Sequence, residues 1–173
     1  MQLVHRDLKP ENVFLTSTRE IKVGDFGLAV PEGYKSSHEL EGTPEYAAWE
    51  QWEENVPLST QTDIFATGVI LHEMLVGQRP ELHGDNRPHL RQAGIPEPLA
   101  DVILRCLARE PESRPATFTH LKTLIQPFLG TQAEDREPAQ HRPPDSLAEK
   151  AYNRGVSLDS LGRHDEAILS YQH

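Results

Sequence analysis

Residues 5–12 read His-Arg-Asp-Leu-Lys-Pro-Glu-Asn, and Asp25-Phe26-Gly27 begins thirteen residues after Asn12. Asp7, Asn12 and Asp25 together offer a carboxylate that can orient a hydroxyl and oxygen donors suited to Mg²⁺. Phosphoryl transfer to a hydroxyl asks for these parts, because positioning and the neutralising of phosphate charge govern that reaction. For Asn12 and Asp25 to serve one cation they must come close in space. The intervening chain offers a way: Val13-Phe14-Leu15 and Ile21-Lys22-Val23 read as two short strands joined by the polar turn Thr16 to Arg19. Such a hairpin carries both residues at its open end.

The block His5 to Asn12 resembles the catalytic loop of eukaryotic-type protein kinases, and Asp25-Phe26-Gly27 resembles their metal-binding motif. Either tripeptide alone arises readily by chance; the two in this order and spacing do not. Lys9, two residues after Asp7, is the pattern of the serine/threonine class. The resemblance implies ATP and Mg²⁺ as cofactors and a protein Ser or Thr as acceptor. It implies that Asp7 orients the hydroxyl and accepts its proton, that Lys9 contacts the γ-phosphate, and that Asn12 and Asp25 hold Mg²⁺. His5 takes a packing role. The resemblance covers residues 1–129 and is to the large, C-terminal lobe. The glycine-rich loop, strand lysine and helix glutamate that precede this point in the family are not among these residues, so the 173-residue chain alone is expected to have little or no activity. The alternative is a non-catalytic kinase-like scaffold or protein-binding module.

The stretch from Asp25 to Glu50 has little periodicity and resembles an activation segment, opening with Phe26 and Gly27. Arg6, directly before Asp7, matches the subclass in which a phosphate on this segment pairs with that arginine, a charge-assisted contact that can order it. Ser36, Ser37 and Thr43 are candidate acceptors. The plainer alternative leaves Ser36 and Ser37 as solvated loop residues and makes Thr43 structural, lining the substrate hydroxyl site; for Thr43 this is the preferred reading. Gly42-Thr43-Pro44-Glu45-Tyr46 resembles the substrate-docking stretch. It sets the register of Ala48-Trp49-Glu50, which stands where the family shows Ala-Pro-Glu. Trp49 for proline implies altered packing of the loop. The resemblance also implies a buried ion pair between Glu50 and Arg114.

These residues need a scaffold, and the pattern supplies a mainly α (α+β) one: a kinase-like C-terminal lobe with a short β-hairpin, then a helix-turn-helix repeat unit. Thr60 can cap a helix that runs to Gly77, with Asp63 in its first turn and apolar residues nearly all round, the mark of a buried central helix. By resemblance, Asp63 hydrogen-bonds the catalytic-loop backbone. Residues 78–96 allow at most one short helix, around Pro88 to Ala93. Leu99, Val102, Ile103, Cys106 and Leu107, and then Phe118, Leu121, Leu124, Ile125 and Phe128, recur at helical spacing as core helices. Residues 130–145 are polar and proline-rich and read as a linker. Residues 146–173 open with capping-box spacing at Ser146 and Glu149 and resemble part of a tetratricopeptide repeat, which implies a protein partner.

Composition narrows the partners. A formal net charge of -10 at pH 7 argues against nucleic acid and anionic membranes. No apolar run approaches the ~20 residues a membrane-spanning helix needs, and no signal pattern opens the chain. A single cysteine, Cys106, in an apolar run fits a buried thiol in a reducing compartment, so a cytoplasmic location is expected. None of the nine histidines falls in the close pairings usual for zinc.

Overall fold

In the computed structural model, residues 2–37 and 41–129 are described. The linker 130–145 and the repeat unit 146–173 expected from the sequence lie outside the described residues. Those described form a main unit, residues 2–12 and 26–129, and a hairpin unit, Val13–Asp25.

The hairpin unit is an antiparallel pair, β2 (Val13–Leu15) with β3 (Ile21–Val23), in the register Val13↔Val23, Phe14↔Lys22 and Leu15↔Ile21. Its turn closes through Arg19 N–H donating to Thr16 O (2.9 Å) and Thr16 N–H donating to Glu20 O (2.9 Å). Arg19, at φ 61°, takes the left-handed conformation that such a tight turn demands. The main unit adds a second ladder, β1 (Leu3–Val4) with β4 (Val30–Pro31), which periodicity alone does not reveal. It buries Val4 and Val30 against Leu58, and so pins the start of the catalytic-loop block to the segment that follows Asp25.

Helix α1 (Thr60–Val76) is the centre of the main unit. One face sends Phe65, Ala66 and Val69 to Leu8, Tyr46 and Ala48; another sends Ile64 to Val102, Cys106 and Leu121. Two-sided burial matches the apolar pattern through His72, but Met74 is 75% exposed and Leu75 is exposed too, so the last turn leaves the core. The cap also differs from expectation. Ser59, extended at φ -141°, is the N-cap: its hydroxyl accepts the Gln61 N–H (3.2 Å) while Thr62 Oγ1 accepts the Ser59 N–H (3.2 Å). Thr60 is simply the first helical residue, and Gly77 ends the helix at φ 83°.

Three further helices complete the unit: α2 (Arg87–Gln92), α3 (Glu97–Cys106) and α4 (Phe118–Ile125). Gly68 lets α1 meet α3 closely, since a Cβ there would lie 2.6 Å from Cys106 Cβ. Cys106 is fully buried, and burial pushes its thiol up to about 12. Phe118, expected in the core, is 43% exposed at the first turn of α4, where Leu121 makes the buried contact instead. No helix among the described residues is long and apolar enough to cross a membrane.

Candidate functional site

The catalytic-loop block is held from both sides by distant residues. Asp63, in the first turn of α1, accepts the His5 N–H at Oδ2 (2.8 Å) and the Arg6 N–H at Oδ1 (3.0 Å). Burial pushes the Asp63 carboxyl above its ordinary value, partly offset by those two N–H groups. Arg6 sits at φ 68°, in the left-handed region that side-chain-bearing residues seldom adopt. Its carbonyl accepts Gln51 Nε2 (2.9 Å), so both ends of a strained residue are fixed.

That geometry aims Asp7 into a cluster. Asp7 Oδ1 accepts the Thr43 N–H (2.8 Å), and Oδ2 meets Lys9 Nζ (2.9 Å) and Asn12 Nδ2 (3.3 Å). Lys9 Nζ also donates to Thr43 Oγ1 (2.7 Å), and Asn12 Nδ2 to Asp7 O (2.8 Å). Burial raises the Asp7 carboxyl, but hydrogen bonds from Thr43 and Lys9 and the Lys9 charge outweigh it, leaving Asp7 below its ordinary value. Asn12 is placed by a single 3₁₀ turn, Pro10–Asn12, whose N–H bonds back to Lys9 O (3.0 Å). Both donors of its amide point at Asp7, which turns Oδ1 to the other side. Gly42 makes the approach of Thr43 possible: at φ 121°, a Cβ there would stand 3.0 Å from Arg6 O.

Asp25 ends the hairpin unit, exposed and left-handed at φ 58°. Phe26 packs its ring against His5, centroids 4.8 Å apart and tilted by 58°, and Gly27 follows in the exposed turn. The Arg6 side chain donates through Nε to Leu28 O (2.6 Å), pairs with Glu41 (2.6 Å) and lies 5.5 Å from the Tyr34 ring centre. An activation-segment carboxylate thus stands beside the arginine at which the sequence suggests a phosphate. Ser37 is exposed. Ser36, a candidate phosphate acceptor with a solvated loop residue as the alternative, is not solvated. It is buried, with its hydroxyl against the carbonyls of Glu53 and Val56 and accepting the Val56 N–H (3.1 Å). An isolated bridge, Lys35↔Pro57, draws the segment inward there.

The docking stretch is anchored to the core. Tyr46 donates its hydroxyl to Glu73 of α1 (2.6 Å), and burial with the Glu73 charge raises it to about 12. Trp49, in place of proline, opens a 3₁₀ turn (Trp49–Gln51), with the Arg109 guanidinium 5.1 Å from its ring centre. Glu50 and Arg114 form a bidentate pair, NH1 to Oε1 at 2.7 Å and NH2 to Oε2 at 2.9 Å, with side chains 4% and 0% exposed. Gln51 and Glu41 escaped sequence reasoning. Nothing in their spacing signals a contact; only the folded path of the segment brings them to Arg6.

The protein kinase domain family matches residues 1–136. Among curated proteins, the chain is 38% identical over 130 residues to the serine/threonine-protein kinase PkaA of Streptomyces coelicolor, a match covering 66% of this chain and 24% of that protein. It is 36% identical over 132 residues to the interferon-induced, double-stranded RNA-activated protein kinase of Rattus norvegicus, covering 72% of this chain and 26% of that protein. The match therefore spans about a quarter of the length of these relatives.

Proposed function

This chain belongs to the protein kinase family, and we propose that its residues transfer the γ-phosphoryl group of ATP to serine or threonine hydroxyls of proteins. The observation that carries the reading is the convergence of Asp7, Lys9, Asn12 and Thr43 within 2.7–3.3 Å of one another's polar atoms. Asp7, kept ionised well below neutrality, accepts the hydrogen bond of the incoming hydroxyl and orients its lone pair. As a weak base it takes the proton late. Lys9 has three N–H donors and, among the described residues, spends two on Asp7 and Thr43, which leaves the third for a phosphate oxygen. Thr43 lines the hydroxyl site rather than accepting phosphate.

Asn12 Oδ1 and the Asp25 carboxylate are hard oxygen donors and fit Mg²⁺ by chemistry. The resemblance of residues 5–12 and 25–27 to the kinase motifs supports Asn12 and Asp25 sharing one cation. When bound, the cation supplies neutralisation of phosphate charge. The described residues act as a large lobe. The sequence contains no G-x-G-x-x-G, so transfer needs a phosphate-covering element in addition to these 173 residues. Residues 146–173 would recruit a protein partner as part of a repeat, in a reducing, cytoplasmic setting.

The test is a radiolabelled-ATP assay on an acceptor protein. It is run with the 173-residue chain and with the polypeptide encoded when the reading frame is followed upstream of Met1. The longer product, if the frame is open, should transfer phosphate to Ser or Thr, and Asp7→Asn should lower kcat by at least about a hundredfold. Transfer that survives Asp7→Asn refutes the assignment, and transfer by the 173-residue chain alone refutes the need for a covering element.

A further inference from the structure

Gln51 occupies an unusual place for a residue outside the motifs. It is buried, at 5% exposure. Its Oε1 accepts the Ala48 N–H (3.0 Å), and its Nε2 donates to the Arg6 carbonyl (2.9 Å). A peptide N–H can only donate and a carbonyl can only accept, so the amide has one workable orientation; turned over, both ends would face like partners. Its backbone is fixed as well. Gln51 N–H donates to Ala48 O (3.0 Å), and the preceding Glu50 is locked to Arg114.

What the amide holds is the peptide between Arg6 and Asp7. Arg6 N–H is tied to Asp63 on α1, while Arg6 O is tied to Gln51 in the turn Trp49–Gln51 that follows the docking stretch. Between those two tethers, with the Asp7 N–H also donating to His5 Nδ1 (3.4 Å), Arg6 stays at φ 68°. Release of either lets the peptide rotate toward a negative φ, which swings the Asp7 Cα–Cβ bond and draws Oδ1 from the Thr43 N–H. We propose that Gln51 is a positioning residue whose side-chain amide sets the aim of the Asp7 carboxylate and ties that aim to the turn directly after the substrate-docking stretch. The inference rests on the phosphoryl-transfer reading for its purpose, but its structural content is testable without activity. It assigns the coupling of acceptor docking to catalytic geometry to one amide, three residues beyond the Ala48 N–H that it grips.

Two substitutions in the 173-residue chain test it. Gln51→Met keeps the length and removes both hydrogen bonds. Gln51→Glu keeps the acceptor for Ala48 and sets a carboxylate against the Arg6 carbonyl, while its protonated form regains a donor. Amide hydrogen exchange is followed by NMR at Asp7 and Thr43, with α3 amides as reference. In both variants at pH 7.5, protection at Asp7 and Thr43 should fall on the order of tenfold while α3 stays within about twofold. Near pH 5 the Gln51→Glu variant alone should recover much of its protection relative to the parent chain. Unchanged protection at Asp7 and Thr43 overturns the proposal; so does an equal loss in α3, or a Gln51→Glu variant whose pH response matches Gln51→Met. Should Gln51→Met not fold, the two-pH comparison of Gln51→Glu with the parent decides alone. In the longer polypeptide that an open upstream frame would encode, the same variants should lower kcat and leave KM for ATP nearly unchanged. A parent polypeptide without transfer sinks the kinase reading, while the exchange data still judge the tether.

Discussion

Replacing Arg114 by methionine puts the largest single demand on this fold. The guanidinium carries five N–H donors, and every one has a partner. Nε bonds Ala108 O (2.8 Å), NH1 bonds Glu50 Oε1 (2.7 Å) and Gln61 O (2.9 Å), and NH2 bonds Glu50 Oε2 (2.9 Å) and Arg109 O (2.7 Å). Methionine fills much of the volume but leaves three carbonyls short of a donor and strands a carboxylate that is 4% exposed, with the Thr62 hydroxyl (2.9 Å) still bound to it. Removing one member of a buried pair costs about 3–5 kcal/mol, mostly as the penalty of the remaining lone charge. That is a large part of the ~5–15 kcal/mol that holds a typical domain together. Removing the charge as well, in Glu50→Gln with Arg114→Met, should return about 1–3 kcal/mol as a coupling energy. Urea melts of the four proteins supply the cycle, followed by far-UV circular dichroism and by fluorescence of Trp49 and Trp52. A loss below about 1 kcal/mol for Arg114→Met, or strictly additive losses, would refute the argument that the lone charge dominates.

Two further outcomes follow from the core. His72 is fully buried, its Nδ1 against Gln78 O (3.0 Å), its Nε2 without a partner among the described residues and its ring 6.3 Å from that of His89. Burial holds it below the ordinary 6.5; the Gln78 carbonyl opposes this and the His89 charge adds to it. A lowered folded value means that the unfolded chain takes the proton first. The stabilisation is full above about pH 6.5 and is lost as pH falls from there toward the folded value. The urea midpoint should therefore drop between pH 7.5 and 5.5, and the drop should shrink in His72→Leu; an equal drop in both proteins counts against it. Gly68→Ala should cost about 1–3 kcal/mol in the same melts, because its Cβ would stand 2.6 Å from Cys106 Cβ and part α1 from α3.

The elements that local pattern can specify were legible. Alternation with a polar turn marked the hairpin of β2 and β3, and an apolar run closed by a glycine marked α1 and its end at Gly77. Features that depend on two remote stretches were not. The ladder of β1 and β4 has two residues a side, too few for a period, and joins segments that each look irregular alone. Ser59 and Thr60 are adjacent and both able to cap; the choice fell to Ser59 because Thr62 is placed to return its bond. Ser36 reads as a solvated loop serine until the Lys35↔Pro57 bridge brings it under Val56. In the site, motif residues could be named from spacing, whereas the tether of Gln51 and the Glu41 carboxylate at Arg6 arise from the path of the activation segment.

Asp7 and Asp63 show why the scaffold accepts unfavourable local choices. Asp7 and Asp63 are the same residue type, both buried, yet their carboxyls move in opposite directions. Asp7 meets an ammonium, an amide and a backbone N–H, so its charge is compensated and available to a hydroxyl. Its stabilising contribution is full above the ordinary 3.8 and is lost as pH falls through the lower folded value. Asp63 meets two backbone N–H groups, which offset burial only in part, so its contribution is full below 3.8 and is lost as pH rises through the raised folded value. At neutral pH the fold therefore keeps an ionised Asp63 at a cost, and keeps Arg6 left-handed at a further cost. Neither choice adds stability. Both are needed if the peptide before Asp7 is to stand where Thr43 can grip the carboxylate, and strain of this kind persists where geometry serves chemistry rather than packing.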